Sequence, residues 1–394
     1  MKKAVIIPVY LRIREPEDIL RSEGMRITQR AIESLNILKD QDFTLILPVY
    51  FDVAPEQQDH FLSDMERMFT EGISDFRQRE IYVVSPVQLR TLRDVLERQG
   101  FTEFYPLVDL KGYSKIRNTG LLIAQALSMD VVVFIDNDEV MDDPDYLRIA
   151  CEFLNEPLNG KRLLGKGGFY LNPDGTIFLP SERLWWRFLW NKTKWMNCVW
   201  TNILSSKERL VFSPMLLGGN LVLHRDLFSR VPFDPYIPRG EDTDYLINAN
   251  QLDFCLLFDK RLRIRHLHPE RTETFFHQEL RGDIERFLYE RKKMKFTSSI
   301  SLDPYPGQFL KWTLYPRALF TSFLLGANYL VHGAWSKAMD SLRNINLLFE
   351  TRNKGWLNYL RFKRDWERAM DFLFLRFTPT KSEDNAISVV GDYG

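Results

Sequence analysis

An α/β architecture, with a mostly parallel sheet flanked by helices and a helical region behind it, is expected from three features of the 394-residue sequence. Short apolar runs alternate with stretches whose apolar residues recur at helical spacing. One run, Val131-Val-Val-Phe-Ile135, is apolar at every position, as suits a strand buried on both faces, and it ends abruptly in Asp136-Asn137-Asp138-Glu139. Strands that alternate with helices need right-handed crossovers, which place the strand carboxyl ends on one edge, where open α/β sheets bind ligands.

The elements follow in order. Residues 3–9 read as a buried strand, residues 24–39 as a helix with Met25, Ile27, Ala31, Ile32, Leu35 and Leu38 on its apolar face, and residues 43–50 as a second strand. A helix over 55–72, a strand over 80–85, a helix over 89–99 and a helix over 116–129 lead into the Asp136 strand. Residues 221–223 and 254–258 are later strands. Residues 276–377 carry helical patterning broken at Pro304, Pro306 and Pro316, and the polar stretch 378–394 is expected to be a disordered tail. On this reading Tyr10, Asp52 and the aspartate pair share one sheet edge.

Composition bounds the function. A content of 45% hydrophobic and 27% charged residues is ordinary globular usage, and the length allows two or three domains. Lys plus Arg (53) equals Asp plus Glu (53), so no overall field favours nucleic acid as a partner. Cys151, Cys198 and Cys255 are odd in number, far apart and without C-x-x-C spacing, which fits a reducing compartment and excludes a zinc ribbon. The first apolar run is broken at Pro8, too short for a signal sequence, so a cytoplasmic placement is expected.

Several groups of residues carry chemistry. Asp136 and Asp138 at a strand end can hold a hard divalent cation that keeps waters and takes further ligands from substrate phosphates; a polar strand exit is the plain alternative. Gly112, Ser114, Lys115, Arg117 and Asn118 open a helix with backbone amides and two cations, which suits a diphosphate or, equally simply, a solvated basic helix start. Arg239-Gly240 turns into a helix whose first turn holds Glu241, Asp242 and Asp244, more carboxylates than a cap needs. His266 and His268 alternate onto one face of an extended segment, and either imidazole is an acceptable ligand for manganese or a similar ion. Gly218-Gly219-Asn220 marks a tight turn or a close approach of backbone to ligand.

The segments I-I-P-V-Y, G-Y-S-K-I-R-N-T-G-L-L-I-A-Q-A-L before a strand ending D-N-D, G-G-N-L-V-L-H-R-D-L-F and R-G-E-D-T-D-Y-L-I-N-A occur in this order over about residues 3–270. Together they resemble nucleotide-sugar glycosyltransferases of the GT-A fold, closest to the family-two group. The resemblance implies a Rossmann-like GT-A domain over 1–275 with a Trp-rich helical insertion at about 181–214, a helical region over 276–377 and the tail. It implies that Pro8, Tyr10 and Asp52 embrace the nucleotide base. Lys115, Arg117, Asn118, Asp136 and Asn137 would lie along the donor, and Asp136, Asp138 and His266 or His268 would bind Mn2+ or Mg2+. Gly218, Gly219 and Asn220 would floor the acceptor site, with Glu241 positioning the acceptor and Asp242 as general base of an inverting transfer. The chain departs from the family at the second strand's exit, which reads L-I-L-P-V-Y-F-D-V where paired aspartates are usual. The implied partners are a nucleotide-sugar donor and a glycan, lipid-linked or small-molecule acceptor, as in polysaccharide or glycolipid biosynthesis. A sugar-nucleotide-binding or glycan-binding scaffold without turnover is the competing class; a phosphoester hydrolase would need a second metal cluster.

Two stretches fall outside that core. Five of the nine tryptophans lie between residues 181 and 204, interspersed with Arg183, Arg187, Lys192 and Lys194. This composition suits a helix in a membrane interface or one packed on the C-terminal helices. Residues 318–336 are free of Lys, Arg, Asp and Glu but carry polar residues and glycines, and read as a buried or interfacial helix. Peripheral contact with the cytoplasmic membrane face is the placement they suggest.

Overall fold

The computed structural model describes residues 1–53, 58–76, 80–158, 160–180, 184–267, 276–295, 301–349 and 355–377. The expected tail and His268 lie outside these residues. The N-terminal half alternates as expected: β1 (Lys3–Ile6), β2 (Val9–Arg12), α1 (Glu23–Ser34), β3 (Thr44–Asp52), α2 (Gln58–Gly72), β4 (Ile81–Val84), α3 (Pro86–Arg98), α4 (Tyr113–Ala126) and β5 (Val131–Phe134). There follow β6 (Glu139–Val140), α5 (Tyr146–Cys151), β7 (Pro157–Leu158), β8 (Lys161–Leu171), α6 (Lys192–Ser205), β9 (Leu210–Val211), β10 (Leu221–His224), α7 (Arg225–Phe228), α8 (Glu241–Gln251) and β11 (Cys255–His266). The last part is helical: α9 (Phe276–Met294), α10 (Gly307–Leu310), α11 (Leu314–Val331), α12 (Trp335–Arg343) and α13 (Gly355–Phe377).

One sheet runs in the order β2-β3-β1-β5-β10-β8-β11-β6, with β4 beside β3. Its N-terminal part is parallel, with Lys3 to Ile6 paired to Val131 to Phe134 and Ala4 to Ile6 paired to Thr44 to Ile46. β10 enters antiparallel to β5, so the purely parallel pattern ends there. The expected strand over 3–9 divides at Ile7-Pro8, because proline has no amide hydrogen for the ladder; the chain re-pairs with β3 from Val9 to Arg12. Long β8 is not among the expected strands; Gly165, Gly167 and Gly168 interrupt its apolar run. Each instead admits close neighbours: a Cβ on Gly168 would sit 2.1 Å from the Leu262 carbonyl oxygen.

The helices cover both faces. Ile6, Phe134 and Leu221 share a core with Leu121 and Leu122 of α4, and α13 closes it with Phe362, Trp366, Met370 and Leu373. Trp366 donates its indole N–H to the Phe228 carbonyl (2.9 Å), and Gln125 of α4 donates to the Met370 carbonyl (3.0 Å). The Trp-rich stretch becomes a short turn at Trp185–Arg187 and then α6. Trp186, Trp190 and Trp200 are buried, and their partners include Phe276, Phe309 and Phe258. For these three, packing won over interfacial exposure, because aromatic rings distant in sequence converge on them. Trp185 remains exposed.

Candidate active site

A cleft of about 970 Å³ opens where the exits of β1 and β5 face the starts of α4 and α8. Pro8, Tyr10, Arg117, Asp136, Asn137, Asp138, Gly218, Glu241, Asp242 and His266, all singled out from sequence, line it. A cavity of similar size, about 1020 Å³, lies beside Lys3, Thr44 and Glu80 and gathers none of them.

Arg117 joins three segments. Gly112 caps α4 at φ 102°, a conformation only glycine adopts without strain, and this directs the next turn of helix toward the cleft. The almost fully buried guanidinium donates from Nη2 to Asp136 Oδ1 (2.7 Å), from Nε to Glu241 Oε1 (3.3 Å) and from Nη1 to the Gly218 carbonyl (3.0 Å). Burial opposes its charge, but Asp136 and Glu241 outweigh burial and hold its pKa above the ordinary arginine value. The paired glycines are explained here: a Cβ on Gly218 would come 2.6 Å from Arg117, and one on Gly219 would come 2.2 Å from the Glu139 carboxylate.

Glu139, which ends the aspartate run in the sequence, is fully buried beneath the site. Its Oε2 accepts the Asp136 amide (2.8 Å), which fixes the turn that presents both aspartates. Burial, reinforced by the charge of Asp136, pushes its pKa well above the usual carboxylate range. Tyr170 of β8 donates to Asp136 Oδ2 (3.4 Å) and accepts the Gly219 amide (2.6 Å).

Strand pairing sets the next contact. β11 runs antiparallel to β6, with His266 opposite Glu139, and places His266 Nε2 3.0 Å from Asp138 Oδ2. The Tyr170 ring lies edge-on to the imidazole at 5.0 Å. A carboxylate and an imidazole converging on one point of a polar cleft fit Mn2+ or Mg2+. Among the described residues no three His, Cys, Asp or Glu side chains form a cluster able to hold a metal. Asp136, the other expected metal ligand, is engaged by Arg117.

At the other end Tyr10 and Tyr50 line the cleft with ring centroids 5.6 Å apart. The Tyr10 hydroxyl donates to Asp52, and burial together with that carboxylate raises the phenol's pKa. Asp52 itself does not line this cleft; it borders a neighbouring hollow with Arg12 and Arg14.

Three expected contacts turn away from the cleft. Lys115 lies 3.7 Å from Asp109. Asn118 is clamped to the backbone of Phe233 at 2.8 and 2.9 Å, using both ends of its amide. Asn220 donates to the Phe169 carbonyl (2.9 Å) and accepts the Tyr146 hydroxyl (2.7 Å). Each is occupied by protein groups that no local pattern reveals.

The three carboxylates at the start of α8 divide. Gly240 caps the helix at φ 73°, and a Cβ there would collide with the Arg286 guanidinium at 2.1 Å. Glu241 is buried against Arg117; burial raises its pKa although Arg117 pulls the other way. Asp242, partly exposed, faces the cleft and accepts the Thr243 amide (2.6 Å). Asp244 points into the core, where Lys293 bonds both of its oxygens at 2.7 Å and Asp234 at 2.6 Å. Burial, against the pull of Lys293, pushes Asp244 up to about 6.

Arg286 of α9 also lines the cleft and was not anticipated, since its stretch reads as an ordinary charged helix. It donates to Glu290 (2.8 Å) and to the Tyr305 hydroxyl (3.3 Å), and its Nη2 has no hydrogen-bond acceptor among the described residues. Burial pushes Glu290 up to about 7 despite Arg286. The folded protein therefore binds a proton that the unfolded chain lacks between roughly pH 4.5 and 7, and stability drawn from this group falls as pH rises through that window. Glu290→Gln is expected to make the decline shallower, measured by urea unfolding at several pH values across it. An unchanged slope would remove Glu290 as its source.

Solved structures similar to this chain include a mannosyltransferase from Pyrobaculum calidifontis in complex with GDP-mannose and Mn2+. Its identity is 11%, covering 95% of this chain and 87% of that one, with a TM-score of 0.49. A glucosyl-3-phosphoglycerate synthase from Mycobacterium tuberculosis with Mn2+, uridine diphosphate and phosphoglyceric acid is similar at 16% identity, 76% and 80% coverage and a TM-score of 0.38. TarS 1-349 of S. aureus in complex with UDP is similar at 13% identity, 90% and 93% coverage and a TM-score of 0.36. No family model matches the sequence, and no curated protein matches it.

Proposed function

We propose that this chain is a glycosyltransferase of GT-A type that moves a sugar from a nucleoside-diphosphate donor to an acceptor hydroxyl with the help of Mn2+ or Mg2+. The observation that carries the reading is the meeting of Asp138 with His266 in the same cleft as Asp136, Arg117 and the partly exposed Asp242. Tyr10 and Tyr50 form an aromatic wall suited to a nucleobase. Asp138 and His266 would hold the cation, which supplies positive charge against the departing diphosphate. Arg117 anchors Asp136 and Glu241, so the donor end and the acceptor end keep a fixed separation.

Asp242 is the base: its carboxylate reaches the cleft and can take the proton of an acceptor hydroxyl as that oxygen attacks the anomeric carbon. Direct attack with a carboxylate base is a single displacement, which inverts the anomeric configuration. Glu241, held against Arg117 at the cleft wall, positions the acceptor. Arg286 stands beside Gly240 with a donor to spare and can meet an anionic group of either substrate.

Calorimetry with a panel of nucleotide sugars tests the cation's role. Binding is expected with manganese, with a loss of roughly tenfold or more in chelator or in Asp138→Asn. Equal affinity with and without the metal sinks the assignment of Asp138 and His266.

A further inference from the structure

No helix among the described residues is long and apolar enough to cross a membrane. The outward side of α11 is nevertheless apolar. Leu314, Ala318, Thr321 and Leu325 form its buried stripe, whereas Phe320, Phe323 and Val331, on the opposite side at 3.6-residue periodicity, are 54%, 59% and 84% exposed. A surface helix ordinarily carries charged and polar residues there. Trp312 just before the helix and Trp335 just after it are 72% and 70% exposed. Trp185 joins them from the short turn before α6, with its indole N–H donated to Asn328 of α11 (3.0 Å).

The sequence around these rings is rich in cations, although Lys311 is paired to Asp303 at 3.1 Å. Neither residues 304–339 nor residues 184–207 contain an Asp or Glu. A cation stands within two residues of each exposed tryptophan: Arg187 by Trp185, Lys311 by Trp312 and Lys337 by Trp335. Indoles with an apolar body and a polar N–H, with cations near each of them in the chain, match the boundary between acyl chains and anionic head groups.

We infer that this face docks the protein on an anionic phospholipid bilayer, with α11 lying along the surface. One helix, α9, links α11 to the cleft. α9 contributes Gln278, Gly282 and Arg286 to the cleft, and from the same helix His277 packs edge-on against Tyr329 of α11 at 5.7 Å. An acceptor carried in the membrane is thereby brought to the catalytic edge; this last step rests on the transferase reading, while the docking does not.

Vesicle flotation with the full chain tests the docking. Wild type is expected to float with phosphatidylcholine vesicles containing phosphatidylglycerol and far less with phosphatidylcholine alone. Trp312→Ser/Phe323→Ser/Trp335→Ser should lose roughly tenfold or more of the bound fraction, with its circular dichroism and melting intact. Phe320→Ser/Val331→Ser is the second variant should the first misfold, and the same loss is expected. Wild type left at the bottom with anionic vesicles, a folded variant that still floats, or a dimer in sedimentation that either variant dissolves would each overturn the proposal. Donor binding, read by calorimetry on the same samples, is expected to be unchanged, so failed flotation leaves the transferase reading intact.

Discussion

Asp242→Asn is expected to lower turnover by roughly a hundredfold or more while donor affinity stays within about twofold. Asparagine keeps the size of the side chain and an oxygen for the Thr243 amide, so the helix start is preserved and only the basic carboxylate is lost. Steady-state rates and donor calorimetry separate the outcomes. Full activity in the variant would reduce Asp242 to a helix cap. A parallel loss of donor affinity would move it to the donor site, and binding without turnover in the wild type would favour the scaffold class.

Lys293→Met is expected to cost about 3–5 kcal/mol of stability, read by urea unfolding. Lys293 lies between Asp234 and Asp244, both fully buried, and its ammonium sits over the Tyr359 ring at 4.6 Å. Methionine fills similar space but leaves two carboxylates facing each other without a cation. Adding Asp234→Asn and Asp244→Asn should recover part of the loss, because the penalty comes from uncompensated charge rather than from a missing methylene. A single substitution that costs under about 1 kcal/mol would show that water reaches these groups.

The contrast between Asp242 and Asp244 shows how far the sequence reaches. Three carboxylates in one helical turn marked the place, and the glycine before them marked where the helix begins. Which carboxylate faces the cleft depends on Lys293, some fifty positions away, and on the packing of α9 against α8. The Asp136 strand was legible because burial on both faces imposes an unbroken apolar run. β8 was not, because its glycines serve close backbone approach, and so Tyr170 went unnoticed. Asn118 has the composition of a ligand contact but clamps Phe233. Spacing identified the Trp-rich stretch as amphipathic; which rings are covered is settled by aromatic residues distant in the chain. Glu139 could have been found: a carboxylate beside two others at a strand exit seldom lies idle.

The place of α13 in the main core bears on how the chain can be made. Gln125 and Met370 are joined across 245 positions, and Trp366 and Phe228 across 138. During synthesis the side of α4 that α13 covers therefore waits, uncovered, until residues beyond 370 have left the ribosome. Contacts this distant close slowly, and an exposed apolar surface is prone to association in the interval. Nascent chains halted before α13 would be clients for chaperones rather than small working enzymes.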